Sequence, residues 1–154
     1  MKSKSYLFNK KATNKPVFVI DTPPPFTSGS LHIGRAYACI LSDVTARYKR
    51  MRGYNVLLPQ GWDTQGLPTE LAVQNKLGIS PDDVDKFRNA CKKWTRRMIR
   101  RMRKTMLCLG CMSDWSFEYK TMDGGYHQKV QLALLNLYKM GRIYRSKHPI
   151  HWCP

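Results

Sequence analysis

The chain has 154 residues, long enough for one domain with a real core, and its 27 Lys and Arg against 10 Asp and Glu give a formal charge of +17. A balance this basic points to a polyanionic partner, although charge alone says nothing about sequence specificity. Residues 1–16 read as a basic, polar N-terminal tail without an apolar stretch long enough for a signal peptide or membrane span. No membrane partner is expected, and a cytoplasmic location is.

In chain order, Val17-Phe18-Val19-Ile20-Asp21 predicts a strand buried on both faces. Thr22-Pro23-Pro24-Pro25-Phe26-Thr27-Ser28-Gly29-Ser30 is too rich in proline and glycine for helix or strand. Leu31-His32-Ile33-Gly34 then launches a helix. Its apolar residues Ile33, Tyr37, Ile40, Leu41, Val44, Tyr48 and Met51 recur at helical spacing, and Gly53 stops it. Asn55-Val56-Leu57-Leu58-Pro59 predicts a second strand that ends at Gly61-Trp62-Asp63. This order of elements predicts a right-handed crossover and an α/β fold, a parallel sheet with flanking helices.

In such a unit both strands end on one edge of the sheet, where ligands bind. The helix beginning near His32 directs unpaired N–H groups and its positive dipole end toward that edge, a ready anion site. His32 adds a donor, and Gly34 removes a side chain where a flat ring could approach the backbone. Asp63 sets a carboxylate beside this phosphate-friendly surface. The pairing suits a substrate with both a cationic amine and a triphosphate.

Ser80-Pro81-Asp82-Asp83 reads as the start of a helix running to about residue 107, with Phe87, Cys91, Trp94, Met98, Met102 and Met106 on its apolar face. Between Lys86 and Lys104 stand ten Lys or Arg and no acid. Self-repulsion among them argues for an anionic partner, RNA or an acidic protein surface. The candidate phosphate-facing patch is Lys92, Lys93, Arg96, Arg97, Arg100, Arg101, Arg103 and Lys104. Five cysteines make an odd count, so reduced thiols are expected, and Cys108 and Cys111 read as packed or incidental rather than as a zinc pair. A last helix over about 125–140 should bury Val130, Ala133, Leu134 and Leu137. Arg142-Ile143-Tyr144-Arg145 reads as a third strand. No linker divides residues 17–154, which are expected to form one domain.

Pro25-Phe26-Thr27-Ser28-Gly29-Ser30-Leu31-His32-Ile33-Gly34-Arg35 resembles the "HIGH" signature of class I aminoacyl-tRNA synthetases. Gly61-Trp62-Asp63 with Gly66-Leu67-Pro68-Thr69-Glu70 resembles a second active-site segment of the subgroup that handles valine, isoleucine and leucine. Ser113-Asp114-Trp115-Ser116, Glu118-Tyr119, Thr121-Met122-Asp123 and Ile150-His151-Trp152-Cys153-Pro154 continue the pattern. The triple proline and Leu-Pro-Thr-Glu lean toward the archaeal form of the valyl-tRNA synthetases.

The resemblance implies a partial Rossmann-like domain for ATP and aminoacyl-adenylate over residues 17–154. It implies valine activation and transfer to tRNA, with isoleucine or leucine as the runner-up substrate. His32 and Arg35 would be the catalytic residues on the ATP phosphates, with Pro25, Gly29, Gly34 and Gly66 completing the ATP site. Asp63 would hold the amino acid's ammonium, and Pro24, Pro25 and Trp62 would shape its side-chain pocket. In-line attack of a carboxylate on the α-phosphate needs positioning and charge stabilisation rather than a side-chain nucleophile.

Arg35 stands where the family usually has a second histidine; it keeps a donor and adds a permanent charge. ATP with Mg2+ is the implied substrate, and no protein metal site and no structural zinc are expected, because in the family Trp-Cys-Pro begins a Cys-x-x-Cys knuckle and residues 1–154 hold only its first cysteine, Cys153. The chain is expected to stop where the family's editing insertion begins; it would then be a truncated gene product, a cut piece of the enzyme, or one piece of a split enzyme whose missing half a separate chain supplies. A different class of reading is a non-catalytic basic module that binds RNA or a synthetase.

Overall fold

The computed structural model describes residues 6–152. Cys153, and with it the Cys-x-x-Cys expectation, lies outside the described residues. The apolar run at the start of the crossover forms β1 (Val17–Val19), and after helix α1 (Ile33–Met51) the chain returns in parallel as β2 (Asn55–Leu57). Val17 stands opposite Asn55, Phe18 opposite Val56 and Val19 opposite Leu57. The expected strand–loop–helix–strand unit is therefore present. Beyond Leu58 the chain stays extended as β3 (Pro59–Trp62), which pairs in parallel with β4 (Asp114–Lys120) through a register shift between Pro59 and Gly61. Successive carbonyls of a strand point to opposite sides. Leu57 O accepts from Ile20 N–H at 2.9 Å, and Leu58 O accepts from Asp114 N–H at 2.7 Å. Residues 55–62 therefore run between β1 and β4.

β1 is buried on one face only, which corrects the two-faced expectation. Val17 and Val19 are 55% and 56% exposed, whereas Phe18 packs on the cluster of Ala46, Val56 and Leu58. A second cluster gathers Trp62, Ile99, Met102, Met106 and Cys111. α1 reverses its sequence pattern. Its apolar stripe, from Ile33 at 87% exposed to Met51 at 85%, faces out, while Ala36, Asp43 and Ala46 are buried. The small residues let α1 approach the sheet closely. Asp43 then holds the turn before β4, accepting from Met112 N–H at 2.6 Å and Arg47 Nε at 2.7 Å.

The N-terminal segment is tied to the rest of the chain at Phe8 and Asn9. Phe8 N–H donates to Asp114 Oδ2 at 2.8 Å, and Asn9 and Asn55 exchange bonds of 3.1 and 2.8 Å. Helix α2 (Leu67–Leu77), an element beyond those predicted, has proline in its first turn and ends at Gly78, φ 62°, in the left-handed region that favours glycine. α3 (Val84–Cys108) starts later than expected. Ser80 closes a turn onto Asp82 instead, and Asp83 takes the cap, accepting from Lys86 N–H at 3.0 Å.

The residues from Asp123 onward cluster as a second compact unit. It holds α4 (Gly124–Lys139), none of whose residues is buried, so the expected burial of Val130, Ala133, Leu134 and Leu137 is not found. No strand or second helix belongs to this unit among the described residues, and nothing within it covers that face. The strand expected at Arg142–Arg145 is absent for the same reason; the strand that follows β3 is β4, with Trp115, Phe117 and Tyr119 alternating along it. No helix among the described residues is long and apolar enough to cross a membrane.

Candidate functional site

The loop between β1 and α1 is sewn to the mouth of β3. Asp63 N–H donates to Pro25 O at 2.9 Å, and Asp63 O accepts from Thr27 N–H at 3.0 Å and Thr27 Oγ1 at 3.1 Å. Phe26 and Asp63 thus form a parallel bridge. The stitching brings the start of α1 and the end of β3 to one cavity of about 560 Å³. Of the expected site residues, Pro24, Pro25, Gly29, His32, Gly34, Arg35 and Asp63 line it.

Two of them do not. Gly66 sits at the cap of α2 with φ 108°. Trp62 is fully buried in the second core cluster, which meets the cavity wall at Met102, a member of both, and at Leu31, which packs on the cluster. The reason is that the extended chain runs on past Pro59 as β3, which carries the indole into the core. Its Nε1 donates to Glu118 Oε1 at 2.6 Å.

His32 caps α1, its Nδ1 accepting from Arg35 N–H at 3.4 Å. A Cβ on Gly34 would come within 3.3 Å of the His32 ring, so glycine here leaves that ring its place. Arg35 donates through Nη2 to Pro23 O, while its Nε is buried and has no hydrogen-bond partner among the described residues. The Cys39 thiol lies beside it. Burial pushes that thiol up from its ordinary value, and the Arg35 charge and hydrogen bond act against the shift.

Among the described residues the Asp63 carboxylate receives only long bonds, from Thr121 Oγ1 at 3.4 Å and Gln65 N–H at 3.5 Å. A carboxylate accepts about four hydrogen bonds, so most of its capacity stays open to a cation. Thr121 also accepts from Thr64 N–H at 2.9 Å and lies 3.0 Å from Thr64 Oγ1. Met122 N–H closes the set on Thr64 Oγ1 at 2.8 Å. Thr27, Thr64 and the site role of Thr121 were missed from sequence, where nothing in residue type or spacing marks them.

The cavity therefore offers cation and donor groups on one wall and an under-used carboxylate on the other. The family model for tRNA synthetases class I (I, L, M and V) matches residues 2–154. The chain belongs to this class I tRNA synthetase family. The valine--tRNA ligase of Pyrococcus horikoshii is 53% identical over 92% of this chain and 16% of that protein. The valine--tRNA ligase of Sulfolobus acidocaldarius is 49% identical over 98% of this chain and 18% of its own length. Among solved structures, the Agrobacterium radiobacter LeuRS in its ternary complex with tRNA and LeuAMS superposes with a TM-score of 0.76. It is 34% identical, over 92% of this chain and 17% of that one. The fold is accordingly the Rossmann-like α/β fold of a class I synthetase catalytic domain. The chain spans less than a fifth of the length of these relatives.

Along α3 of this class I chain, Lys92, Lys93, Arg96, Arg97, Arg100, Arg101 and Lys104 are exposed. Arg103 is set apart: it pairs with Glu118 Oε2 at 2.8 Å and lies 4.8 Å from the centre of the Trp115 ring. Cys39, Cys91, Cys108 and Cys111 are free thiols. No three His, Cys, Asp or Glu converge as metal ligands among the described residues.

Proposed function

We propose that this chain carries the substrate-activating part of a valine--tRNA ligase. Residues 17–154 would belong to one domain that binds ATP and valine and forms valyl-adenylate, with tRNA as the final acceptor and a cytoplasmic place in translation. The observation that carries the reading is the shared cavity: the capped start of α1 with His32 and Arg35 faces the open carboxylate of Asp63. Identity of about half to valine--tRNA ligases over nearly the whole chain, against 34% to the LeuRS, favours valine over leucine.

In this reading Asp63 receives the ammonium of valine and Pro24 and Pro25 bound its side chain, with Trp62 backing that wall through Met102. Gly29, Gly34 and Pro25 admit the nucleotide, and Gly66 sets the turn that follows Asp63. His32, the N–H groups of the first turn of α1 and Arg35, whose buried Nε is unpaired, stabilise charge on the phosphates. A valine carboxylate oxygen attacks the α-phosphorus in line. The new O–P bond forms as the bond to the bridging oxygen breaks, and pyrophosphate leaves with that electron pair. Mg2+ would accompany ATP on its phosphate oxygens and neutralise part of their charge.

The exposed cations of α3 would face tRNA, and a separate chain would complete the catalytic domain if the remainder is not continuous with this one. The test is a single-turnover adenylate assay with valine, isoleucine, leucine and threonine, run beside His32→Ala and Asp63→Ala. The expected result is a valine-dependent burst that both variants lose. A burst equal with all four amino acids, or one unaffected by Asp63→Ala, overturns the assignment of the site.

A further inference from the structure

Away from the first cavity, α2 and α3 enclose a cleft of about 510 Å³ lined by Ile79, Lys86, Asn89, Lys93, Trp94 and Arg97 among others, with no acid in its wall. Lys86, Lys93 and Arg97 are spaced by seven and four residues, which sets them on one face of α3. All three are exposed. The ion pairs among the described residues, Arg47–Asp43 and Arg103–Glu118, leave none of them a carboxylate. Three unpaired cations along one wall repel one another unless an anion with several charges lies between them.

The cleft also has an aromatic member. Trp94 is half-buried, its ring approached by Lys76 Nζ at 5.6 Å from the centroid. Its indole N–H donates to Ser28 O at 3.1 Å, in the loop that lines the first cavity. A groove that combines a row of cations with an aromatic ring is what single-stranded nucleic acid binds: phosphates on the cations and a base against the ring.

We propose that the α2–α3 cleft binds a single-stranded RNA segment, with Lys86, Lys93 and Arg97 on its phosphates and one base against Trp94. The proposal deepens the tRNA reading above by giving it a defined site, and it rests on that reading only in taking RNA as the ligand. A free nucleotide offers the same phosphate chemistry, so the test carries an arm for each source.

The probe is a fluorescently labelled oligouridylate about eight nucleotides long, followed by anisotropy and by intrinsic tryptophan fluorescence across a salt series. The wild-type chain should bind and quench, and Trp94→Phe should abolish the quenching. Lys93→Ala with Arg97→Ala should weaken binding about tenfold at low salt and flatten the logarithmic salt slope by about 1.4. Lys11→Ala with Arg52→Ala removes the same charge from exposed positions outside α3 and the cleft and should leave the affinity within about twofold of wild type. All four positions are exposed, and circular dichroism checks that both double variants fold.

Equal losses in the two double variants would mean a diffuse basic surface and would overturn the cleft while leaving the tRNA reading in place. Displacement of the RNA by ATP at equimolar concentration would make the cleft a nucleotide site and overturn the RNA assignment. No RNA binding at low salt overturns it as well, leaving an acidic protein surface as the partner. The adenylate assay with His32→Ala decides the activation chemistry independently of all three outcomes.

Discussion

The indole N–H of Trp62 donates to Glu118 Oε1 at 2.6 Å, and the other oxygen of that carboxylate takes Arg103 at 2.8 Å. One side chain on β4 thereby ties the residue before Asp63 to the basic helix α3. Glu118→Ala leaves the fully buried indole N–H without its acceptor, and should destabilise the chain by about 2–3 kcal/mol. Glu118→Gln keeps a neutral acceptor for the indole and should lose less. Urea denaturation followed by tryptophan fluorescence measures both.

Thr121 holds Asp63 at 3.4 Å while also serving Thr64. Thr121→Val keeps the shape of the side chain and removes the hydroxyl, so the Asp63 carboxylate is freed to turn. Valine affinity should fall about tenfold, the worth of one hydrogen bond to a charged group. ATP affinity should hold, and Thr121→Ser should restore most of the loss. Calorimetric titration of each ligand separates a positioning effect on Asp63 from general unfolding, which would weaken both.

Gly61 leaves no room for a side chain, because a Cβ there would overlap the Tyr119 ring across the β3–β4 pair. Gly61→Ala should cost about 1–3 kcal/mol through overpacking. Adding Tyr119→Ala removes the ring and should recover part of the loss, a non-additivity that a double-mutant cycle reads directly.

Burial raises the thiols of Cys39, Cys91 and Cys111 above their ordinary range. The folded state therefore holds protons that the unfolded state releases first, starting near pH 8.5. Stability from these groups is full below that pH and is lost as pH rises toward the folded values. The melting temperature should thus decline above about pH 8.5, and the triple Cys→Ala chain should lose that part of the decline. Under alkylation the exposed Cys108 should react before the buried Cys111, as peptide mass mapping would report.

Much of the lining of the candidate cavity was legible because its residues are local. The loop, the His32 cap and the return to Asp63 lie within one crossover, and backbone period and turn chemistry announce such a unit. What could not be read was which side of an element finds a neighbour. The apolar stripe of α1 was expected to pack, yet Ala36 and Ala46 do so, because close approach to the sheet favours small side chains over large ones. Trp62 was expected in the cavity, but the continuation of the strand past Pro59 depends on β4, more than fifty residues away in sequence. β4 itself was passed over for Arg142–Arg145, a run of strand-like residues with no strand to pair with.

The outward stripe on α1, Ile33, Tyr37, Ile40, Leu41, Val44, Tyr48 and Met51, sits on a molecule of charge +17. In dilute buffer, mutual repulsion holds copies apart and keeps those greasy faces from meeting. Added salt shortens the Debye length from about 30 Å at 0.01 M to about 8 Å at 0.15 M, and the barrier collapses while the apolar attraction remains. Colloidal behaviour and RNA affinity would then respond in the same direction for opposite reasons. If the proposed RNA contact holds, high salt would strip off nucleic acid while favouring self-association, and a purification that cleans the chain of RNA would also be the one that clouds it.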